Sequence, residues 1–199
     1  MLAYIKKEVA ASAETKQKIL NDEVFLAKIA AVLEASILVY KNHKKILIAG
    51  NGGSAADAQH FAAELVGRYG FDRPSLPALA LTTDTSNLTA IGNDYGYAYV
   101  FSRQLEGMGQ EGDLFIGIST SGNSQNILNA FASAKEKGIT TVALTGRDGG
   151  KMAEVADFTL IVPSDATPRI QESHLLIEHM ICDAIEKEMF GDGIMGEKV

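Results

Sequence analysis

Two short loops hold the residue types that can grip a phosphate. Ile48-Ala49 leads into Gly50-Asn51-Gly52-Gly53-Ser54, Gly117-Ile118 leads into Ser119-Thr120-Ser121-Gly122-Asn123-Ser124, and each loop then enters a helical pattern. Glycines permit close backbone approach and a helix N-terminus presents unpaired N–H groups, so each loop is a candidate anion cradle. The second loop adds three serines and a threonine, neutral donors that reach phosphate oxygens without charge. By itself it also reads as a serine-rich turn with Ser124 as an N-cap. The first loop fits the dinucleotide fingerprint G-x-G-x-x-A as well, but that motif needs an acidic residue about twenty positions on, at the end of the next strand. Asp72 lies ahead of that strand and Asp84 beyond it, which weakens the nucleotide reading.

Downstream of the first loop, His60 and Glu64 are four residues apart, which puts an imidazole and a carboxylate on one helix face, one turn apart. One metal ion or one substrate could meet both. Gln171, His174 and His179 lie on the last helical stretch, so three of the four histidines fall on two helices. Any one of them has an ordinary reading as a surface or core histidine; beside two anion cradles they form a candidate site. The fourth, His43 in Lys41-Asn42-His43-Lys44, reads as a solvated turn residue.

The elements that must position these groups follow from hydrophobic spacing. Before residue 44 the pattern is helical: Ile5, Val9 and Ala13 share one face, and Phe25, Ile29, Val32, Leu33 and Ile37 another, with Asp22 as an N-cap between them. From Lys44 onward, short apolar runs end in Gly, Ser or Asp clusters: Ile46 to Ala49, Ala78 to Leu81, Leu114 to Ile118, Thr141 to Leu144 and Phe158 to Val162. They read as five buried strands separated by helices, hence an α/β fold with a parallel sheet covered on both faces. A last helix is expected from about Arg169 to Phe190. The predicted organisation is one domain over 1–199: N-terminal helices over 1–43 that serve oligomerisation, an α/β core over 44–190 and a frayed tail from Gly191 onward.

Composition sets the outer limits. With 199 residues, 46% hydrophobic and 22% charged, the chain can bury a full core. No apolar run is long enough for a membrane span and no signal-peptide pattern opens the chain, so a soluble cytoplasmic protein is expected. A net charge of −7 without any Lys/Arg-rich block argues against a nucleic-acid surface. An anionic ligand must therefore be captured by local groups. The single cysteine, Cys182, sits in an apolar helical stretch and reads as a core hydrophobe.

Taken in order, the block Gly50 to His60 with Glu64, then Thr82-Thr83-Asp84-Thr85-Ser86, Gly92-Asn93-Asp94, Gly117 to Ser124 and Arg169-Ile170-Gln171-Glu172 resembles the phosphoheptose isomerases of the sugar-isomerase (SIS) superfamily. The resemblance covers almost the whole chain; Thr167-Pro168 departs from an acidic residue that some members carry before the Arg. It implies a five-stranded flavodoxin-like three-layer fold and a homotetramer with active sites at subunit interfaces. The implied reaction converts sedoheptulose 7-phosphate to D-glycero-D-manno-heptose 7-phosphate, toward bacterial surface polysaccharide. By resemblance, one zinc ion per subunit is held by His60, Glu64, Gln171 and His179. Substrate contacts fall on Asn51, Gly52, Gly53, Glu64, Asn93, Asp94, Ser119, Thr120, Ser121, Ser124 and Gln171, with Glu64 as base and His179 as acid. Eight residues of helix rise about 12 Å, so Gln171 and His179 share an ion only if the helix starts after Gln171 or the ligands come from different subunits. The alternative from another class is a non-catalytic SIS scaffold that binds the replication initiator; Glu64 and His179 speak for the isomerase.

Overall fold

Apolar residues on both sides of a strand require cover on both sides, and the sheet is built accordingly. The computed structural model describes residues 1–191. The strands are β1 (Ile46–Gly50), β2 (Ala78–Ala80), β3 (Leu114–Ile118), β4 (Thr140–Gly146) and β5 (Phe158–Val162), all parallel and ordered β2-β1-β3-β4-β5. The helices are α1 (Leu2–Leu20), α2 (Glu23–Lys41), α3 (Gly53–Val66), α4 (Thr85–Asp94), α5 (Ser102–Met108), α6 (Gln125–Glu136), α7 (Met152–Val155) and α8 (Thr167–Phe190). Each expected strand is present. Full burial holds for β1 and β3, whereas β2 and β5 lie at the edges and are partly exposed.

Alternate residues divide two cores between the faces. Ile46, Ile48, Ile116, Val142 and Leu160 pack with Val32 and Ile37 of α2, Phe61 and Leu65 of α3, and Ile177 and Ile181 of α8. Cys182 joins this cluster as a buried free thiol. On the other face Leu47, Ala49, Phe115 and Ala143 meet Leu105 of α5, Ile127 and Phe131 of α6, and Met152 of α7. Asp22 caps α2 as its spacing predicts, accepting from the Phe25 N–H at 2.9 Å. The apolar face of α2 is thus filled largely within the chain. In α1 only Thr15 and Ile19 are buried, and Leu2, Ile5 and Val9 are exposed. His43 sits just past α2 with φ of 57°, the left-handed turn its context suggests. No helix among the described residues is long and apolar enough to cross a membrane. The expected frayed tail lies, apart from Gly191, outside the described residues.

The strand order decides where a ligand can enter. After β1 the chain crosses to β2 on one side, and it returns to β3 on the other. In open parallel sheets this switch opens a crevice beyond the carboxyl ends of the two strands. The loops after β1 and β3, the two candidate cradles, flank that crevice.

Candidate active site

A cavity of about 250 Å³ at the switch point is lined by Asn51, Ser54, Ile118, Ser119, Thr120, Ser121, Ser124, Thr167 and Gln171. Gly52, with φ of 59°, turns the chain into α3. A Cβ on Gly53 would run into the amide of Gln171, so the glycine lets α8 close over the start of α3. Ser119 and Ser124 hydroxyls are 2.9 Å apart across the second loop. Asn51 is fixed by a reciprocal amide pair: its Nδ2 donates to Asn126 Oδ1 at 2.9 Å, and its Oδ1 accepts from Asn126 Nδ2 at 2.9 Å. The Tyr97 hydroxyl adds a 3.0 Å bond to the same Oδ1. With its oxygen saturated, Asn51 retains one amide N–H for a ligand, which suits an anionic or carbonyl acceptor.

Further along α3 is a second group. His60 Nε2 and His179 Nε2 face each other at 3.0 Å, with Glu64 Oε1 3.7 Å from His60 Nε2. Two ring nitrogens at that distance are either a donor–acceptor pair of opposite tautomers or two lone pairs turned toward a shared cation. Tetrahedral zinc with bonds of about 2.0–2.1 Å to each nitrogen would hold them only slightly further apart, and a carboxylate completes a usual donor type. The donor chemistry of these three residues therefore fits zinc. Among the described residues, no group of three or more His, Cys, Asp or Glu side chains is gathered closely enough to hold a metal ion as they stand.

Between the two groups the α3–α8 seam is acidic. Glu178 is fully buried with neither carboxylate oxygen bonded, and Asp57 Oδ2 is likewise unbonded. Burial, reinforced by the Asp57 carboxylate, pushes Glu178 up to about 8. Asp57 is raised by burial too, partly offset by His60. His174 is lowered by burial to about 4; its Nε2 bonds the Thr145 carbonyl at 3.1 Å and its Nδ1 has no partner.

The fold brings Asn51, Ser119, Thr120, Ser121, Ser124 and Gln171 to one cavity, adjoining Gly52 and Gly53, and gathers His60, Glu64 and His179 into a separate, partly exposed cluster. Asn93 and Asp94 join neither: they are exposed at the end of α4, where Asn93 donates to Asp94 at 2.8 Å. Because α8 begins at Thr167, Gln171 lies within the same helix as His179, and the option of a helix starting after Gln171 is ruled out. Asn126, directly after the second loop, and Tyr97 were not anticipated. Asn126 is the second residue of α6, just past the loop whose chemistry drew attention, and Tyr97 lies 46 residues from its partner.

The SIS domain profile matches residues 9–146. The phosphoheptose isomerase of Sulfurimonas denitrificans is 70% identical over 98% of this chain and 100% of its own length. The chain belongs to the phosphoheptose isomerase family. Among solved structures, the family member from Neisseria gonorrhoeae is 46% identical with a TM-score of 0.87, covering 94% of this chain and 98% of that one. The Francisella tularensis structure is 38% identical with a TM-score of 0.89 over the same shares. Membership of this family disfavours the scaffold alternative.

Proposed function

We propose that the protein isomerises sedoheptulose 7-phosphate to D-glycero-D-manno-heptose 7-phosphate. One observation carries the reading: a neutral-donor phosphate cradle, formed by the loops after β1 and β3, sits at the start of α3, and an acid–base group of one carboxylate and two imidazoles sits further along α3 and α8. The cradle, Asn51, Gly52, Gly53, Ser119, Thr120, Ser121 and Ser124, holds the phosphate, and that binding energy orients the sugar. Glu64 removes the proton on C1 of the ketose to give the enediol and returns it to C2. His179 donates a proton to O2 and accepts the one leaving O1, so the sugar is neither oxidised nor reduced overall. His60, Glu64 and His179, with Gln171, would hold zinc, which when bound supplies Lewis-acid stabilisation of the enediolate oxygens.

Each site is assembled from two copies in a homotetramer. From Gly53 to Glu64 α3 rises about 16 Å. An extended seven-carbon phosphate, six carbon–carbon bonds of about 1.5 Å in zigzag plus the ester, is shorter. The seam between is occupied by Asp57 and Glu178, whose carboxylates are unsuited to a phosphosugar. The cradle and Gln171 of one chain therefore work with His60, Glu64 and His179 of another, and Asn93 and Asp94 reach the substrate across the same contact. The exposed apolar residues of α1 give such an assembly surface to bury.

Proton NMR of the zinc-loaded protein with sedoheptulose 7-phosphate in heavy water tests the reading. The expected result is a new aldose anomeric signal, with a rate of appearance lowered about 10²- to 10⁴-fold in Glu64→Gln. No turnover by the folded protein would overturn it.

A further inference from the structure

We propose that the buried Arg73–Glu186 ion pair positions Glu64 and His179 for proton transfer, an inference that rests on the isomerase reading above. The side chains of Arg73 and Glu186 are 1% and 2% exposed and meet at 2.8 Å. The Glu186 carboxylate also accepts the backbone N–H groups of Tyr69 at 2.8 Å, of Phe71 at 2.9 Å and of Gly70. The Arg73 fork donates to the carbonyls of Glu64 at 2.9 Å, Leu65 at 2.8 Å and Pro74 at 3.0 Å.

Glu64 stands in the last turn of α3, which ends at Val66. The final carbonyls of a helix have no partners within it, and Gly67, at φ −80° and ψ −104°, does not form the left-handed cap that would satisfy them. Helix ends fray, so a base placed there is poorly held unless something ties down its backbone. Arg73 does so at the carbonyl of Glu64 itself. On the opposite side, the Tyr69 ring lies 5.7 Å from the His179 ring, and the Tyr69 N–H is the one anchored to Glu186. Glu186 is seven residues beyond His179, two turns along the same face of α8. The strap from Tyr69 to Arg73 thus backs His179 at one end and grips the backbone of Glu64 at the other. A buried ion pair adds little net stability over an apolar pair of equal volume. What this one adds is a fixed geometry, fork to carbonyls and carboxylate to three amides, that an apolar pair would lack.

The test uses full-length Arg73→Lys and Glu186→Gln. Lysine keeps the charge but cannot bond the carboxylate and the two α3 carbonyls together. An ångström-scale misplacement costs about 100-fold in turnover, so kcat is expected to fall about 10- to 100-fold with KM little changed, because the phosphate cradle lies at the other end of α3. Imidazole NMR without substrate supplies a second readout: the His60 and His179 signals should move while those of His174 and His43 stay. Should these variants fail to fold, Tyr69→Leu keeps the ion pair and removes only the ring against His179, with the same expected outcome. A folded variant with wild-type kcat and unmoved His60 and His179 signals would overturn the proposal and leave the pair a structural brace. If the wild type proves inactive on sedoheptulose 7-phosphate, the isomerase reading fails, while the imidazole signals still decide whether the pair holds His60 and His179.

Discussion

Glu178 is a fully buried carboxyl without a hydrogen bond, and its cost can be read from pH. Its folded value of about 8 lies above the ordinary 4.5, so the folded protein keeps a proton that the unfolded chain gives up. The stability it contributes is complete below 4.5 and is lost as pH rises toward 8. His174 runs the other way: with a folded value of about 4 against 6.5, it loses stability as pH falls from 6.5 toward 4. The two slopes oppose each other between 4.5 and 6.5, which leaves the effect of Glu178 isolated above 6.5. In chelator-treated protein, thermal stability should fall by about 2 kcal/mol from pH 6.5 to 8, and Glu178→Gln should remove that fall and raise stability at pH 8. Scanning calorimetry across that range checks it, and a slope retained in the variant would place the titration elsewhere. Tyr97 offers a milder case. Loss of its hydroxyl in Tyr97→Phe frees Asn51 Oδ1 from one of its two donors, and one hydrogen bond of about 1 kcal/mol corresponds to a KM raised about fivefold with kcat kept. Steady-state kinetics would detect the change. None of this was legible in the sequence: no local motif marks Glu178, and the contacts Tyr97–Asn51, Asn126–Asn51 and Arg73–Glu186 join residues 46, 75 and 113 positions apart. Asn51, the serines, His60 and Glu64 could be named because their own neighbours in sequence, glycine turns and one helical turn, set their geometry.

The elements were legible for a related reason. Parallel strands buried on both faces read as unbroken apolar runs, and β3 and β5 match their expected bounds at both ends. The edge position of β2 and β5 was hidden, because exposure at an edge depends on strand order and not on composition. The segment between β2 and β3 carries a weaker signal: α4 has no fully buried residue, and only Leu88 and Ile91 of its apolar side chains pack against the core. A single atom tests how tightly the elements hold the cradle. A Cβ on Gly117 in β3 would lie 2.7 Å from Phe131 Cζ and 2.8 Å from Ile127 Cγ2, both on α6. Gly117→Ala should therefore push α6 outward and cost about 1–3 kcal/mol. Since Ser124 and Asn126 sit at the start of α6, KM should rise in the same variant; a lower melting temperature with unchanged KM would mean that the cradle moves independently of the helix.

At the scale of the whole molecule, the proposed two-copy site rests on the separation of the cradle from the acid–base group. One chain gathers a cradle at the start of α3 and an acid–base group near its end, with unpaired carboxylates between them. If each site joins the cradle of one copy to Glu64 and His179 of another, defects in the two halves must complement. Ser121→Asp places a negative charge in the cradle and should abolish phosphate binding, and Glu64→Gln removes the base; each homotetramer should be inactive. Unfolded together in equal amounts and reassembled at random, the two variants should form sites in which both halves are intact with a probability of one half times one half, giving about a quarter of wild-type turnover. Every remaining site carries at least one defect. Activity no higher than that of either variant alone would mean that one chain supplies both halves. The substrate would then have to span the α3–α8 seam past Asp57 and Glu178, which requires α8 to move away from α3.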